Sequence, residues 1–463
     1  MHISVVGVTL ALQIAGLALV VGALWYFVAL PTVRLAVVAA VASLVAWSLP
    51  WDVWIALVVV NGVLLAVQVI DAFTGPSPQR IPVERTLPAG MTLGGEADVT
   101  WTVRNPKSFG TRVSLADELA PSLRPSTRRV SGRIPRRGTL RATARLRPAR
   151  RGHFTPTELV VRTEGPLGLG ARQAVQRIPG ELRVFPSFRS KDDAELRIRK
   201  ARLLEVGLRS ARGRGGGTEF DQLREYGIDD EFRRVDWAAT ARSGKAIVRT
   251  YRSERNQTVV VLLDNGRVMA GRVDGVPRVE HAMDAVMALT TVATGLGDRC
   301  GLVAFDREVR AVVPPRHGTG QLARVVEALY GLEPALVESD YAQAFTETLA
   351  RFRRRTMLVI LTDLVEVSVN EWLVPALPLI VREHLVVVAG VADPDVARWA
   401  APTDVPDAAT AYRQAAAVTA MAQRQRVAAR LRGLGATVVD AKPGRLAPAL
   451  ADAYLEVKAT GRL

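Results

Sequence analysis

The residues best suited to chemistry are carboxylates that close apolar runs. Asp264 ends the run Thr258–Leu263, Asp306 follows Cys300–Phe305, and Thr362-Asp363 follows Met357–Leu361. Short apolar or β-branched runs with polar boundaries read as buried strands of a parallel sheet. Open α/β sheets bind ligands beyond the carboxyl ends of such strands. Two or three carboxylates there could hold a catalytic metal, which gives a hydrolase or transferase reading. Other chemistries lack their residues. The five histidines (His2, His153, His281, His317, His384) are scattered, with no HExxH or Cys/His cluster to hold zinc. Neither Arg212–Thr218 nor Ser243–Ala246 matches a phosphate loop, and there is no Gly-x-Ser-x-Gly elbow. The one cysteine, Cys300, reads as a buried strand thiol and excludes an intrachain disulfide.

Immediately before the first of these strands lies a charged, aromatic collar. It contains Glu219, Arg224, Tyr226, Asp230, Arg233, Arg234, Asp236, Trp237 and Arg242. One reading is an ion-pair network, with pairs such as Asp236–Arg242 or Glu225–Arg233 and Trp237 packed beneath. The other is a docking face for a partner protein. The two are compatible, since a rigid collar makes a good docking surface.

These residues need elements to position them. The chain has 463 residues, too many for one core, so two to four domains are expected. From Thr258 onward strands alternate with helical stretches, which gives a doubly wound α/β domain over 257–463. Residues 190–256 hold a helix, a glycine hinge and the collar. Residues 80–188 alternate with period two between turn signals, the pattern of an antiparallel, immunoglobulin-like β-sandwich. Residues 1–73 are almost wholly apolar and read as three transmembrane helices, at about 3–30, 32–49 and 53–71. Placing Asp52 in a turn avoids the roughly 2.5–3.5 kcal/mol that it would cost in mid-membrane. Arg34 and the basic residues after the last span place the soluble domains in the cytoplasm of a multi-pass cell-membrane protein.

Charge adds one further expectation. Lys and Arg total 61 against 45 for Asp and Glu, a net +16. Arg124–Arg151 holds eleven arginines and no acid. A solvated strand face is one reading, and contact with anionic lipid headgroups is the other. No aromatic interleaves the run, so nucleic acid is not an expected partner.

The collar also carries a resemblance. Gly217-Thr-Glu-Phe220, Leu223-Arg-Glu-Tyr226, Asp229-Asp230, Arg234-Val-Asp-Trp237 and Ala239-Thr-Ala-Arg242 resemble the bacterial family called domain of unknown function 58. Arg150-Arg-Gly-His-Phe154 and Gly165-Pro-Leu-Gly-Leu169 look like the β-domain of that family. The strand-end aspartates and the strand–helix order resemble a von Willebrand factor A domain. The resemblance implies a non-enzymatic, membrane-anchored adaptor that works with a MoxR-type AAA+ ATPase in protein assembly or maturation at the cell envelope. An adhesin-like, ligand-binding A domain is a further alternative.

An A domain holds Mg²⁺ through Asp-x-Ser-x-Ser, a later Thr and a later Asp. Here the first motif reads Asp264-Asn265-Gly266-Arg267-Val268, without either serine. Asp264, Ser339 and Asp363 remain as a degenerate metal set. No cofactor is expected, and Arg267 is expected to neutralise Asp264 or Asp363 in place of the ion.

Overall fold

The computed structural model describes residues 29–47, 53–211, 219–227, 230, 232–252, 257–402 and 407–460. The chain divides into two compact units, Met1–Phe185 and Pro186–Leu463.

The first unit begins with α1 (Val33–Trp47) and α2 (Val53–Thr74). Among the described residues, no helix is long and apolar enough to cross a membrane. This overturns the expected fold class at its transmembrane part, and with it the multi-pass placement with cytoplasmic domains. The span expected over 3–30 lies outside the described residues. The 15 residues of α1 rise about 22 Å at 1.5 Å each, short of a hydrocarbon core of about 30 Å. The last turns of α2 serve another purpose. Gln68, Asp71 and Ala72 are buried, and the Asp71 carboxylate accepts the N–H groups of Leu167 (2.8 Å), Leu169 (2.8 Å) and Gly170 (3.0 Å). The stretch that remains before Gln68 is interrupted by Asn61. The glycines of Gly165-Pro-Leu-Gly-Leu-Gly170 have a reason here. A Cβ on Gly165 would lie 2.2 Å from the Asp71 carbonyl oxygen, and one on Gly170 would lie 2.3 Å from that of Gln68.

The strands that follow are β1 (Val83–Thr86), β2 (Gly90–Thr92), β3 (Ala97–Arg104), β4 (Thr111–Asp117) and β5 (Arg129–Ile134). They continue with β6 (Thr139–Leu146), β7 (Gly152–Phe154), β8 (Glu158–Glu164), β9 (Gly170–Arg177) and β10 (Leu182–Phe185). The expectation was a two-sheet immunoglobulin-like sandwich. The strands fall into three sheets. One has the order β9-β8-β4-β5 with the short strand Leu30–Pro31 beside β9, and the others are β1-β3-β6 and β2-β10-β7. Alternation along β3, β4 and β8 sends Val99, Trp101, Val113, Leu115, Leu159 and Val161 into one core. A buried ion pair sits beside that core. Arg85 Nη1 meets Asp117 Oδ1 at 2.6 Å, and Trp101 Nε1 donates to Asp117 Oδ2 at 2.6 Å.

The second unit opens with α3 (Lys191–Ala211), the hairpin strand β11 (Glu219–Glu225), α4 (Trp237–Ser243) and the returning strand β12 (Ile247–Arg252). Then come β13 (Thr258–Asp264), α5 (Arg278–Gly295), β14 (Arg299–Phe305), β15 (Val309–Arg316), α6 (Gly320–Tyr330), α7 (Tyr341–Arg351) and β16 (Met357–Leu361). The chain ends with β17 (Leu385–Val391), α8 (Ala408–Gly433), β18 (Thr437–Ala441) and α9 (Leu446–Ala459). Six strands form one sheet in the order β15-β14-β13-β16-β17-β18. Only the edge strand β15 runs antiparallel to its neighbour. Both faces are covered, as an apolar parallel sheet requires. Val259, Val261 and Leu263 of β13 pack with α5 and α9, while Val260 and Leu262 pack with α7 and α8. The strand order reverses at β13, so its carboxyl end is the switch point where such sheets open a crevice.

Breaking the Arg85–Asp117 pair would leave an uncompensated buried charge. Asp117→Ala is expected to cost roughly 3–5 kcal/mol, read from the urea midpoint of unfolding.

Candidate functional site

At the carboxyl end of β13, Asp264 is fully buried. Its carboxylate is saturated with donors. Oδ1 accepts Ser339 Oγ at 2.5 Å and the Gly266 N–H at 2.8 Å. Oδ2 accepts the Tyr341 and Thr362 hydroxyls, each at 2.7 Å. Burial pushes the Asp264 carboxyl above the usual carboxylate range, and these four hydrogen bonds oppose that shift. Tyr341, wedged edge-on between Phe305 and Phe345, has its phenol pKa raised well above the ordinary value, first by burial and then by Asp264. Gly266 occupies a position of the lost Asp-x-Ser-x-Ser motif for a steric reason. A Cβ there would lie 2.1 Å from Ser339 Oγ.

Asp363 is handled by charge instead. It lies 2.7 Å from Arg424 Nη1 and 3.1 Å from Arg278 Nε. Arg424, from the middle of α8, also grips Asp440 through two contacts of 2.8 Å. Arg267 does not take the expected role. It pairs with Glu338, on a solvent-exposed side chain. Asp306 is held by Arg310, with Nε at 2.8 Å from Oδ2.

The three degenerate metal residues are thus divided. Asp264 and Ser339 touch, while Asp363 is committed to two guanidinium groups. Mg²⁺ takes carboxylate oxygens together with waters, but every acceptor direction of Asp264 is already filled by a protein donor. The residues present do not fit the ion. Among the described residues, no group of three or more His, Cys, Asp or Glu is arranged to hold a metal. Tyr341, Arg278, Arg424 and Asp440 were not legible as site residues. Only the closeness of Tyr341 to Ser339 in the chain hinted at its role.

The collar is built differently from expectation. β11 and β12 form an antiparallel hairpin with a bulge between Phe220 and Gln222. Asp236 caps α4, accepting the N–H groups of Ala238 and Ala239 at 3.0 Å, and pairs with Arg249 Nε at 2.7 Å. The Ala239 N–H and then Arg249 hold its carboxyl below the usual range. Arg224 pairs with Asp230 at 2.5 Å, Lys245 pairs with Glu225 at 2.7 Å, and the Tyr226 hydroxyl donates to the Asp230 carbonyl at 3.0 Å. The expected pairs Asp236–Arg242 and Glu225–Arg233 do not form; Arg233 and Arg242 are exposed. The side chains of Glu219 and Arg234 lie outside the described residues. Trp237 is not packed beneath the network. It is 61% exposed and meets Phe232, 68% exposed, edge-to-face with ring centroids 5.4 Å apart. Phe232 was missed by sequence reasoning, which read only charges around it.

The comparison with known families bears on both places. Residues 222–432 match the family described as "Protein of unknown function DUF58". The chain carries a DUF58 domain. That domain spans most of the collar and the Asp264 corner except Asp440. Uncharacterized proteins of Mycobacterium bovis and Mycobacterium tuberculosis are 29% identical over 182 residues, which is 39% of this chain and 56% of theirs. The chain therefore spans about half the length of the curated relatives it matches. Among solved structures, a conserved hypothetical protein BatB from Bacteroides thetaiotaomicron aligns with 45% of this chain and 99% of its own at 14% identity and a TM-score of 0.29. A PapD-like domain of human CEP192 aligns with 24% of this chain and 89% of its own at 10% identity and a TM-score of 0.18. Likenesses this slight carry no argument.

Asp264→Ala would leave the buried Ser339 hydroxyl and the Gly266 N–H without their acceptor, while the Tyr341 and Thr362 hydroxyls keep each other at 2.8 Å. It is expected to cost roughly 2 kcal/mol or more, at about 1–3 kcal/mol for each orphaned group. Asp264→Asn keeps one acceptor oxygen and turns an NH2 toward hydroxyl oxygens that can accept it, so it costs less. Because the folded pKa is raised, the contribution of Asp264 is full at acid pH and is lost as pH rises through the folded value. The Asn variant is therefore expected to gain on the parent as pH rises from acid to neutral in chemical denaturation. Added Mg²⁺ is expected to leave the melting temperature unchanged. A rise that disappears in Asp264→Ala would restore a working metal site.

Proposed function

We propose that this chain is a non-enzymatic adaptor whose α/β unit, a von Willebrand factor A-like domain, works with a MoxR-type AAA+ ATPase in protein assembly or maturation at the cell envelope. The observation that carries the reading is the exposed Phe232–Trp237 pair on the collar. Aromatic side chains bring large contact area with little rotamer entropy and are enriched at the energetic centres of interfaces. Around the pair, Asp236 fixes the first turn of α4 and Arg249 ties that cap to β12. A surface held in place before binding loses less freedom on association. The state of the Asp264 corner supports a non-enzymatic role, since its carboxylates are buried, saturated or paired. The sheet order and the strand-end aspartates support the A-like assignment.

The test is co-purification of the chain with the MoxR-type ATPase of its host in ATP, in ADP and without nucleotide. Nucleotide-dependent capture is expected. Trp237→Ala is expected to weaken it by roughly 30-fold, the size of a hot-spot truncation of about 2 kcal/mol, and to leave the melting temperature unchanged. Asp236→Ala is expected to lower the melting temperature. A Trp237→Ala variant that melts early but still binds would make the collar structural. A folded chain that binds in no nucleotide state would sink the adaptor reading.

A further inference from the structure

We propose that the outer face of the five-stranded sheet in the first unit binds anionic phospholipid headgroups. β4 and β5 pair so that Arg112 stands directly opposite Arg133, and Ser114 opposite Ser131. On the next strand, Arg162 stands opposite Ser114. Arg112, Arg129, Ser131 and Arg133 are exposed, with Ser114 and Arg162 half-buried beside them. The alternate residues Val113, Leu115, Ile134 and Val161 point into the core. Four arginines and two serines therefore share one solvent face, with Glu158 and Glu164 of β8 at its two ends.

Like charges directly opposite across a strand pair oppose the pairing. Arg112 and Arg133 nevertheless have no acidic partner among the described residues. The contrast lies in the same unit, where Arg145 and Arg147 both reach Glu96, at 3.3 and 2.6 Å. Basic side chains on an edge strand can serve to block edge-to-edge aggregation. That accounts for Arg129 and Arg133, because β5 is the sheet edge. It does not account for Arg112, which stands on an interior strand. Glu164 stands in line with Arg112 across the strand pair but makes no ion pair with it, so both guanidinium groups keep their charge open to phosphate oxygens. The Ser114 and Ser131 hydroxyls, one step along the same ladder, add donors for the remaining oxygens.

The outward positions of β4 and β5 hold Arg, Ser and Ala and no aromatic, so bases would find nothing to stack on. The face is made of strands within a sheet, with no helix or free ribbon to enter a duplex groove. A broad basic face of this kind matches a plane of headgroups, which clusters of about four to eight basic residues recognise.

The experiment sediments the full chain with phosphatidylcholine vesicles made with and without phosphatidylserine, and reads the ratio of the two affinities. Arg112→Gln with Arg133→Gln is expected to lower that ratio roughly 30-fold, about fivefold per basic residue near an anionic surface. Arg112→Lys with Arg133→Lys is expected to keep most of it, which separates charge from folding. Arg353→Gln with Arg354→Gln, the same loss of charge in the second unit, is expected to leave it unchanged. An unchanged ratio in the first pair, or an equal loss in both charge-matched pairs, would overturn the proposal. Tighter binding to duplex DNA than to anionic vesicles at equal phosphate would also overturn it.

Discussion

One dry carboxylate governs the α/β unit. Asp264 ends the central strand of a sheet covered on both faces, so no water reaches it. Burying an ionised carboxylate costs several kcal/mol unless its oxygens are met. Here they are met by four donors from separate places: the backbone two residues on, the approach to α7, the first residue of α7, and the residue after β16. Each donor fixes the register of its own segment. The loop before α7 must bring Ser339 to Oδ1, and the turn after Asp264 must use a glycine to leave room for it. A bound cation would have supplied this compensation with charge. Neutral hydroxyls supply it without charge, which is why the carboxyl is still pushed toward its protonated form.

The second carboxylate at this end of the sheet meets the same constraint by the opposite means. Asp363 is neutralised by Arg278 and Arg424, and Asp440 takes the remaining charge of Arg424. The two solutions share an outcome: Asp264 has its oxygens met by protein donors, and Asp363 has its charge met by two guanidinium groups. The exposed aromatic chemistry of this unit lies elsewhere, on the collar.

How much of this was legible follows from range in sequence. The strands of the α/β unit were readable because apolar runs ending in Asp are local patterns. The partners of those aspartates were not. Arg424 lies in an Ala/Gln/Arg-rich helix with few buried positions, and its contact with Asp363 spans 61 residues. Nothing local marks it. Ser339 was readable through the motif it replaces, and Tyr341 was not, because its hydroxyl acts through burial that only the fold creates. The apolar helices of the first unit show the opposite failure. Hydropathy over 53–71 is a local signal, but it cannot register that Gln68 reaches back to the Ala29 carbonyl and that Asp71 is spent on the backbone of a loop nearly a hundred residues away. Three sheets rather than two were likewise invisible, since period-two alternation fixes which way a side chain points and not which strand lies beside it.

The collar inverts a common assumption about tryptophan. A large aromatic amid paired charges reads as the hydrophobic base of the network, and on that basis Trp237 was expected underneath. In the structure the charges lock one another and leave the ring outside. Asp236 makes that arrangement necessary. Its side chain is committed to the first turn of α4, and its second oxygen to Arg249. Trp237 is the first residue of that helix, and its indole leaves the capped turn on the side where Phe232 is also exposed. A ring positioned by a cap is held without being buried. That combination gives little to the stability of the unit, and it preserves the apolar area that a partner would cover.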